Sequence, residues 1–159
     1  MKPAERTAEL AEYRKHLDAL TADATPVIQQ IATHTKVARK AMDASPVDTL
    51  TLSNELVELS ILVQRLGDRL ARMGHIVRGA KEFYERVREG EKVRLVREES
   101  VAAGVADSMK VELAHPEFEM MNDCDYLMDR LVYARKSTDK TIDSIRSKLS
   151  YEKVNERNA

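Results

Sequence analysis

The sequence predicts an all-α fold of long antiparallel helices packed as a bundle or coiled coil. Three observations carry that expectation. Leu52, Leu56, Leu59, Val63, Leu66, Leu70, Met73, Val77, Ala80, Tyr84 and Val87 step by four and three without a miss. That is a heptad seam of about five repeats. Met120, Cys124, Leu127, Leu131, Ala134, Thr138 and Thr141 repeat the same steps further on. Charged residues make up 33% of the chain, aromatics 4%, and Trp is absent, a composition suited to thin helical packing rather than a thick globular core. No strand-like alternation or long-period repeat competes with this reading. At 159 residues the length is that of one domain, divisible into a helical segment over 1–45 and a long-helix core over 46–159.

The first helix is expected over Ala4 to Ala24. Pro3 suits a first turn, and Leu10, Tyr13, Leu17 and Leu20 share a face. Thr25-Pro26 either starts a second helix, capped by Thr25, or kinks one continuous helix. Val27, Ile31, Ala38 and Met42 carry the apolar stripe on to about Asp43. Ser45-Pro46-Val47-Asp48 is the first clear break, and Asp48 or Thr49 can cap the helix after it.

The heptad seam predicts a helix running to about Glu89, with a turn or short loop over residues 89–93 at Gly90. Ser53, Ser60, Gly67 and Gly74 recur every seven residues beside the seam. Glycine within a helix costs about 0.8–1 kcal/mol against alanine, so this small-residue stripe suggests a close helix neighbour. Leu62, Ile76 and Phe83 widen the apolar face on the opposite flank, the mark of more than one partner helix. A weaker helix is expected over Val93 to Ala114. His115-Pro116 ends it, because the residue before proline is pushed out of the helical region, and Glu117 and Glu119 suit the first turn of the next helix. That helix is predicted over about Glu117 to Glu152. Its stripe slips to Ile142, Ile145 and Leu149, and its polar Thr138 and Thr141 predict looser packing there. Residues 155–159 are expected to fray.

The net charge is −1, so no global field attracts nucleic acid or a membrane. The charge is segregated all the same. Residues 61–97 hold 10 basic and 5 acidic side chains, residues 98–133 hold 2 and 9, and residues 134–159 hold 7 and 4. Such blocks describe helices that pair with one another or, less often, a polyanion site. Cys124 is the only cysteine and falls on an apolar stripe, which predicts a buried free thiol. There is no hydrophobic signal region and no apolar run long enough for a membrane span, so the expectation is a cytoplasmic protein.

Little in the sequence suggests chemistry. His16, His34, His75 and His115 have no Cys or His at ligand spacing. The carboxylates flanking Cys124 raise a thiol pKa rather than lower it. The acidic cluster Glu98, Glu99, Glu117, Glu119, Asp123, Asp125 and Asp129 lacks the alternating oxygens of a calcium loop, and no glycine-rich phosphate loop is present. The reading is of a non-enzyme without cofactor or metal.

The basic residues are more informative. Arg65, Arg69 and Arg72 form one helical ridge, extended by Arg78, Lys81, Arg86 and Arg88. Arg135, Lys136, Lys140, Arg146, Lys148 and Lys153 form a second set. They suit either solvated faces paired with acidic helices or contacts to phosphates. Single strands also call for aromatic platforms, and Phe83, Tyr84 and Tyr151 are the aromatics among the basic sets. The seam, short of cover in so thin a protein, adds the expectation of a homo-oligomer.

From about Leu52 onward the layout resembles the phage recombination mediators of the UvsY-like family. The resemblance rests on a basic helix with Arg65, Arg69 and Arg72, ending in Glu82-Phe83-Tyr84 and Gly90. It continues through Val111-Glu112-Leu113-Ala114-His115-Pro116-Glu117-Phe118 to the tail Asp143-Ser144-Ile145-Arg146-Ser147-Lys148-Leu149-Ser150-Tyr151-Glu152-Lys153. It implies a ring-like homo-oligomer that binds single-stranded DNA and helps load a recombinase onto strands covered by a single-strand-binding protein. Arg65, Arg69, Arg72, Arg146, Lys148 and Lys153 are then the expected DNA contacts. The alternative is a helical adaptor, such as a phage structural or anti-defence component, that binds another protein and no nucleic acid.

Overall fold

The computed structural model describes residues 2–158, apart from the side chains of Glu156 and Asn158. The fold is all-α, with helices α1 (Pro3–Met42), α2 (Thr49–Arg97), α3 (Ala103–Leu113) and α4 (His115–Asn158). The described residues contain no strand. Two compact units are present. One combines Met1–Thr21 with Arg72–Met128, the other Ala22–Ala71 with Asp129–Ala159. The division therefore does not fall at residue 45; α1, α2 and α4 each contribute a segment to both units.

In the second unit three helix segments share one core. Ala38 and Ala41 of α1, Leu52 and Leu59 of α2, and Ile142 and Ile145 of α4 are buried against one another. Asp23–Arg69 and His34–Glu55 contacts set α1 antiparallel to α2. Arg135 of α4 lies beside Gly67, whereas Leu149 and Lys153 border a groove with Thr49, Leu50 and Ser53. This sets α4 antiparallel to α2 as well.

In the first unit the α1 segment again runs antiparallel to α2. Tyr13 stacks on Phe83 at 5.6 Å between centroids, and Glu9 pairs with Arg86. Tyr84 packs on Phe118 of α4 at 5.6 Å, and Lys81 pairs with Asp125 at 3.3 Å. The aromatic neighbours Phe83 and Tyr84 thus serve two different helices.

The α2 seam is covered by the chain's own helices. Leu52, Leu59, Leu66, Met73, Ala80 and Val87, seven residues apart, are buried, and so are Leu62 and Phe83 on the flank. Leu56, Val63, Leu70 and Val77 are only half-buried. The buried face is centred one position away from a bare heptad seam, because α2 is flanked by two helices. The premise for an oligomer, a seam short of cover, is not met.

Several local expectations are corrected. Pro26 lies inside α1, which is continuous. Its missing N–H interrupts the ladder but does not end the helix, since Ala24, Val27 and Ile31 stay buried on one stripe. No turn occurs over residues 89–93. Gly90 is helical, and α2 continues to Arg97 because Leu95 is still buried. Glycine alone costs too little to stop a helix whose apolar face goes on. The chain turns at Glu98–Ala102 instead, where Ser100 takes φ 56°. Helix α3 is accordingly shorter than the predicted 93–114.

The break at His115-Pro116 narrows to Ala114, and α4 begins at His115 and reaches Asn158 without fraying at 155–158. Ala159 lies outside the described residues. The threonines do not loosen α4. Thr138 is fully buried and donates to the Ala134 carbonyl at 2.7 Å; Thr141 donates to Ser137 at 3.1 Å. Gly74 has nothing near its missing Cβ, and at Gly67 only Arg135 comes within 3.9 Å. The close approach is at Gly79, where a Cβ would meet the Tyr13 hydroxyl at 2.5 Å.

The expected break at Ser45-Pro46 is present, and Asp48 caps α2. The Thr51 N–H and hydroxyl both donate to its carboxylate, at 3.0 and 2.7 Å, which holds its pKa below the usual value.

Candidate nucleic-acid interface

The candidate site lies on α4 within the second unit. Burial of Leu131, Ala134, Thr138, Ile142 and Ile145 turns the opposite side of the helix to solvent. Tyr133, Lys136, Lys140 and Tyr151 fall there. Tyr133 is 76% exposed and Tyr151 62%. They are 18 residues apart, or five helical turns, so both rings stand on one line about 27 Å apart. Such exposure is unusual for rings that normally bury most of their area.

Lys136 and Lys140 are exposed and carry no ion pair among the described residues. Arg146 faces Asp143 at 3.5 Å in an exposed same-helix contact that leaves the cation available, and the half-buried Lys148 faces Glu152 at 3.9 Å. Met42 at the end of α1 joins Ser144, Ser147, Lys148 and Tyr151 in lining a shallow groove. Arg39 and Lys40 occupy the last turn of α1 beside Met42. The second unit carries 13 basic and 11 acidic residues, and two of those acids, Asp23 and Glu55, are held by Arg69 and His34.

The six residues expected to contact DNA are not gathered into one patch. Arg65 is exposed. Arg69 is turned inward, 15% exposed, donating to the Asp23 carboxylate at 2.8 Å and to the Asp23 and Arg65 carbonyls at 3.2 and 2.9 Å. Arg72 is exposed, has an interaction partner and belongs to the other unit. Arg146, Lys148 and Lys153 lie on the α4 tail, where Lys153 borders the first turns of α2 near Ser53. Arg65 stands twelve residues further along α2, about 18 Å away.

The aromatic pair is also unavailable as a platform. Phe83 is fully buried and Tyr84 nearly so. Arg86 and Arg88 lie over these rings at 5.5 Å. Much of the basic run in α2 is engaged within the first unit, where Lys81, Arg86 and Lys92 pair with Asp125, Glu9 and Asp107.

Tyr133, Arg39 and Lys40 do not stand out as site residues in the sequence. A signal for the α4 face exists all the same: Tyr133, Lys136, Lys140 and Tyr151 recur at helical spacing opposite the buried stripe. Counting charge by block hides it, because Tyr133 closes the acidic block. Among the described residues no group of three or more His, Cys, Asp or Glu side chains could hold a metal ion, and no described helix is long and apolar enough to cross a membrane. No family model, curated protein or solved structure matches the chain.

Proposed function

We propose that this protein binds single-stranded DNA along the exposed face of α4 in the second unit, as a recombination mediator that helps load a recombinase onto strands covered by a single-strand-binding protein. The observation that carries the binding is the pair of solvent-facing rings, Tyr133 and Tyr151, among the free cations Lys136 and Lys140. Cations neutralise phosphates and exposed rings stack bases, the combination that single strands use without sequence preference. The mediator role rests on the UvsY-like layout. A homo-oligomer, which that layout implies, would have to use surfaces other than the seam, since the chain's own helices cover it.

Fluorescence anisotropy with a labelled oligothymidine tests the reading. Log affinity should fall with log salt at about −0.7 per phosphate contact, so Lys136→Ala with Lys140→Ala should flatten the slope by about 1.4. Tyr133→Ala and Tyr151→Ala should each weaken binding about tenfold, within the ~1–3 kcal/mol range for a stacked base, with the slope unchanged. Absence of binding at physiological salt would reject this reading in favour of a protein-binding adaptor.

A further inference from the structure

The last turns of α1 carry charge that the fold does not use. Residues 24–42 hold three Lys or Arg side chains and no Asp or Glu. The three, Lys36, Arg39 and Lys40, stand at i, i+3 and i+4 and so share one side of the helix. Ala38 and Ala41 are buried on the other. All three cations are exposed and carry no ion pair among the described residues. The nearest acids along the chain are Asp23, which Arg69 holds, and Asp43 in the turn after α1. The helix dipole accounts for basic residues in a last turn, where Arg39 and Lys40 stand. It does not account for Lys36 a turn earlier, and Lys36 with Lys40 is a like-charge pair at a spacing that weakens a helix.

Two contacts fix where these cations lie around α1. His34 marks the flank turned to α2, through Glu55 at 2.8 Å. Met42 marks the flank turned to α4, because it lines the groove with Asp143, Ser144, Ser147, Lys148 and Tyr151. Lys36, Arg39 and Met42 follow one another every three residues, a slanting row along the helix surface. The row of cations therefore leads into one wall of the groove whose other wall carries Lys148 and Tyr151. The acids on that other wall have partners of their own: Asp143 faces Arg146, and Glu152 faces Lys148.

We infer that a single strand stacked on Tyr151 does not end on α4 but crosses the groove at Met42 and lays its next phosphates on Lys36, Arg39 and Lys40 of α1. This rests on the single-strand reading and adds a second helix to that site. Three unpaired cations within about one turn suit a chain of phosphates, which supplies one negative charge per nucleotide and releases counterions at each contact.

The test uses the full chain and the same labelled oligothymidine. K36A/R39A/K40A changes three exposed side chains and should leave circular dichroism unchanged. At about 0.7 for each phosphate contact, it should flatten the log–log salt slope by about 2.1. Combined with K136A/K140A the losses should add to about 3.5, because both sets hold one strand, and titration should saturate at one strand per chain. A slope unchanged in K36A/R39A/K40A but flattened in K136A/K140A would overturn the crossing and leave the α4 site standing. Saturation at two strands per chain would overturn it as well, since α1 would then hold a strand of its own. No binding by the unaltered protein would reject the single-strand reading and the crossing with it.

Discussion

Arg6 holds the first unit together through a single guanidinium. Its Nε and Nη2 donate to the two carboxylate oxygens of Glu117 at 2.7 Å each, Nη1 to Glu91 at 3.1 Å, and Nη2 also to the Leu113 carbonyl at 2.6 Å. The Glu117 side chain is 1% exposed, so removing its partner strands a buried charge. Arg6→Ala should cost about 3 kcal/mol in urea unfolding, and Arg6→Lys should recover little, because an ammonium cannot reproduce the two-pronged contact. Nothing in the sequence marks Arg6, since its partner is 111 residues away and no local period links them. Cys124 is legible, because its place on an apolar stripe already implies burial. Burial, then Asp123 and Asp125, push its thiol from 9.0 up to about 11. Native protein should react slowly with a disulfide reagent at neutral pH and rapidly once denatured. The folded state keeps this proton where the unfolded chain loses it. The Cys124 contribution to stability is thus present below pH 9.0 and falls as pH rises toward about 11.

Among the elements, α2 and α3 make opposite demands on their residues. Gly90 sits mid-helix with open space at its missing Cβ, so Gly90→Ala should raise stability by about 0.8–1 kcal/mol. Gly79→Ala should lower the melting temperature, because its Cβ would strike a Tyr13 ring held in place against Phe83. Thermal melts of the two variants separate these cases. Helix α3 depends on charge: hydrogen bonds from Lys92 and Lys110 draw the Asp107 carboxylate down to about 2 from 3.8. Its contribution is present above pH 3.8 and fades as pH falls toward about 2. Asp107→Asn should speed amide exchange in α3 while leaving global stability nearly unchanged, because an exposed ion pair is screened by solvent. Proline breaks are readable because proline changes backbone geometry wherever it stands. Gly90 misleads because glycine only weakens a helix, and the decision rests with Leu95, whose burial is a tertiary fact.

Across the whole molecule the fold is legible in the sequence and the candidate site is not. A seam of Leu and Met at heptad spacing needs only an apolar cover, and this chain supplies it. Leu66→Asp, which buries an unpartnered carboxylate in a fully buried position, should abolish most of the helical signal in circular dichroism, against a typical total stability of only about 5–15 kcal/mol. The site depends on which cations are left over after the helices pair, and that cannot be counted along the chain. Along the chain Arg69 is one more cation beside Arg65; the fold brings Asp23 against it. Tyr133 sits at the end of an acidic block, and only burial of its neighbours turns it outward.

Neither unit is built from one continuous stretch, and this bears on how the protein is made. On the ribosome Arg6 is synthesised 111 residues before Glu117 and must wait for it. The segment 22–71 likewise waits for 129–159. The first unit is complete only once Met128 has been made, and the second needs residues 129–159 as well. A stop codon near residue 115 is then as damaging as one near residue 50, for each leaves both units without their α4 segment.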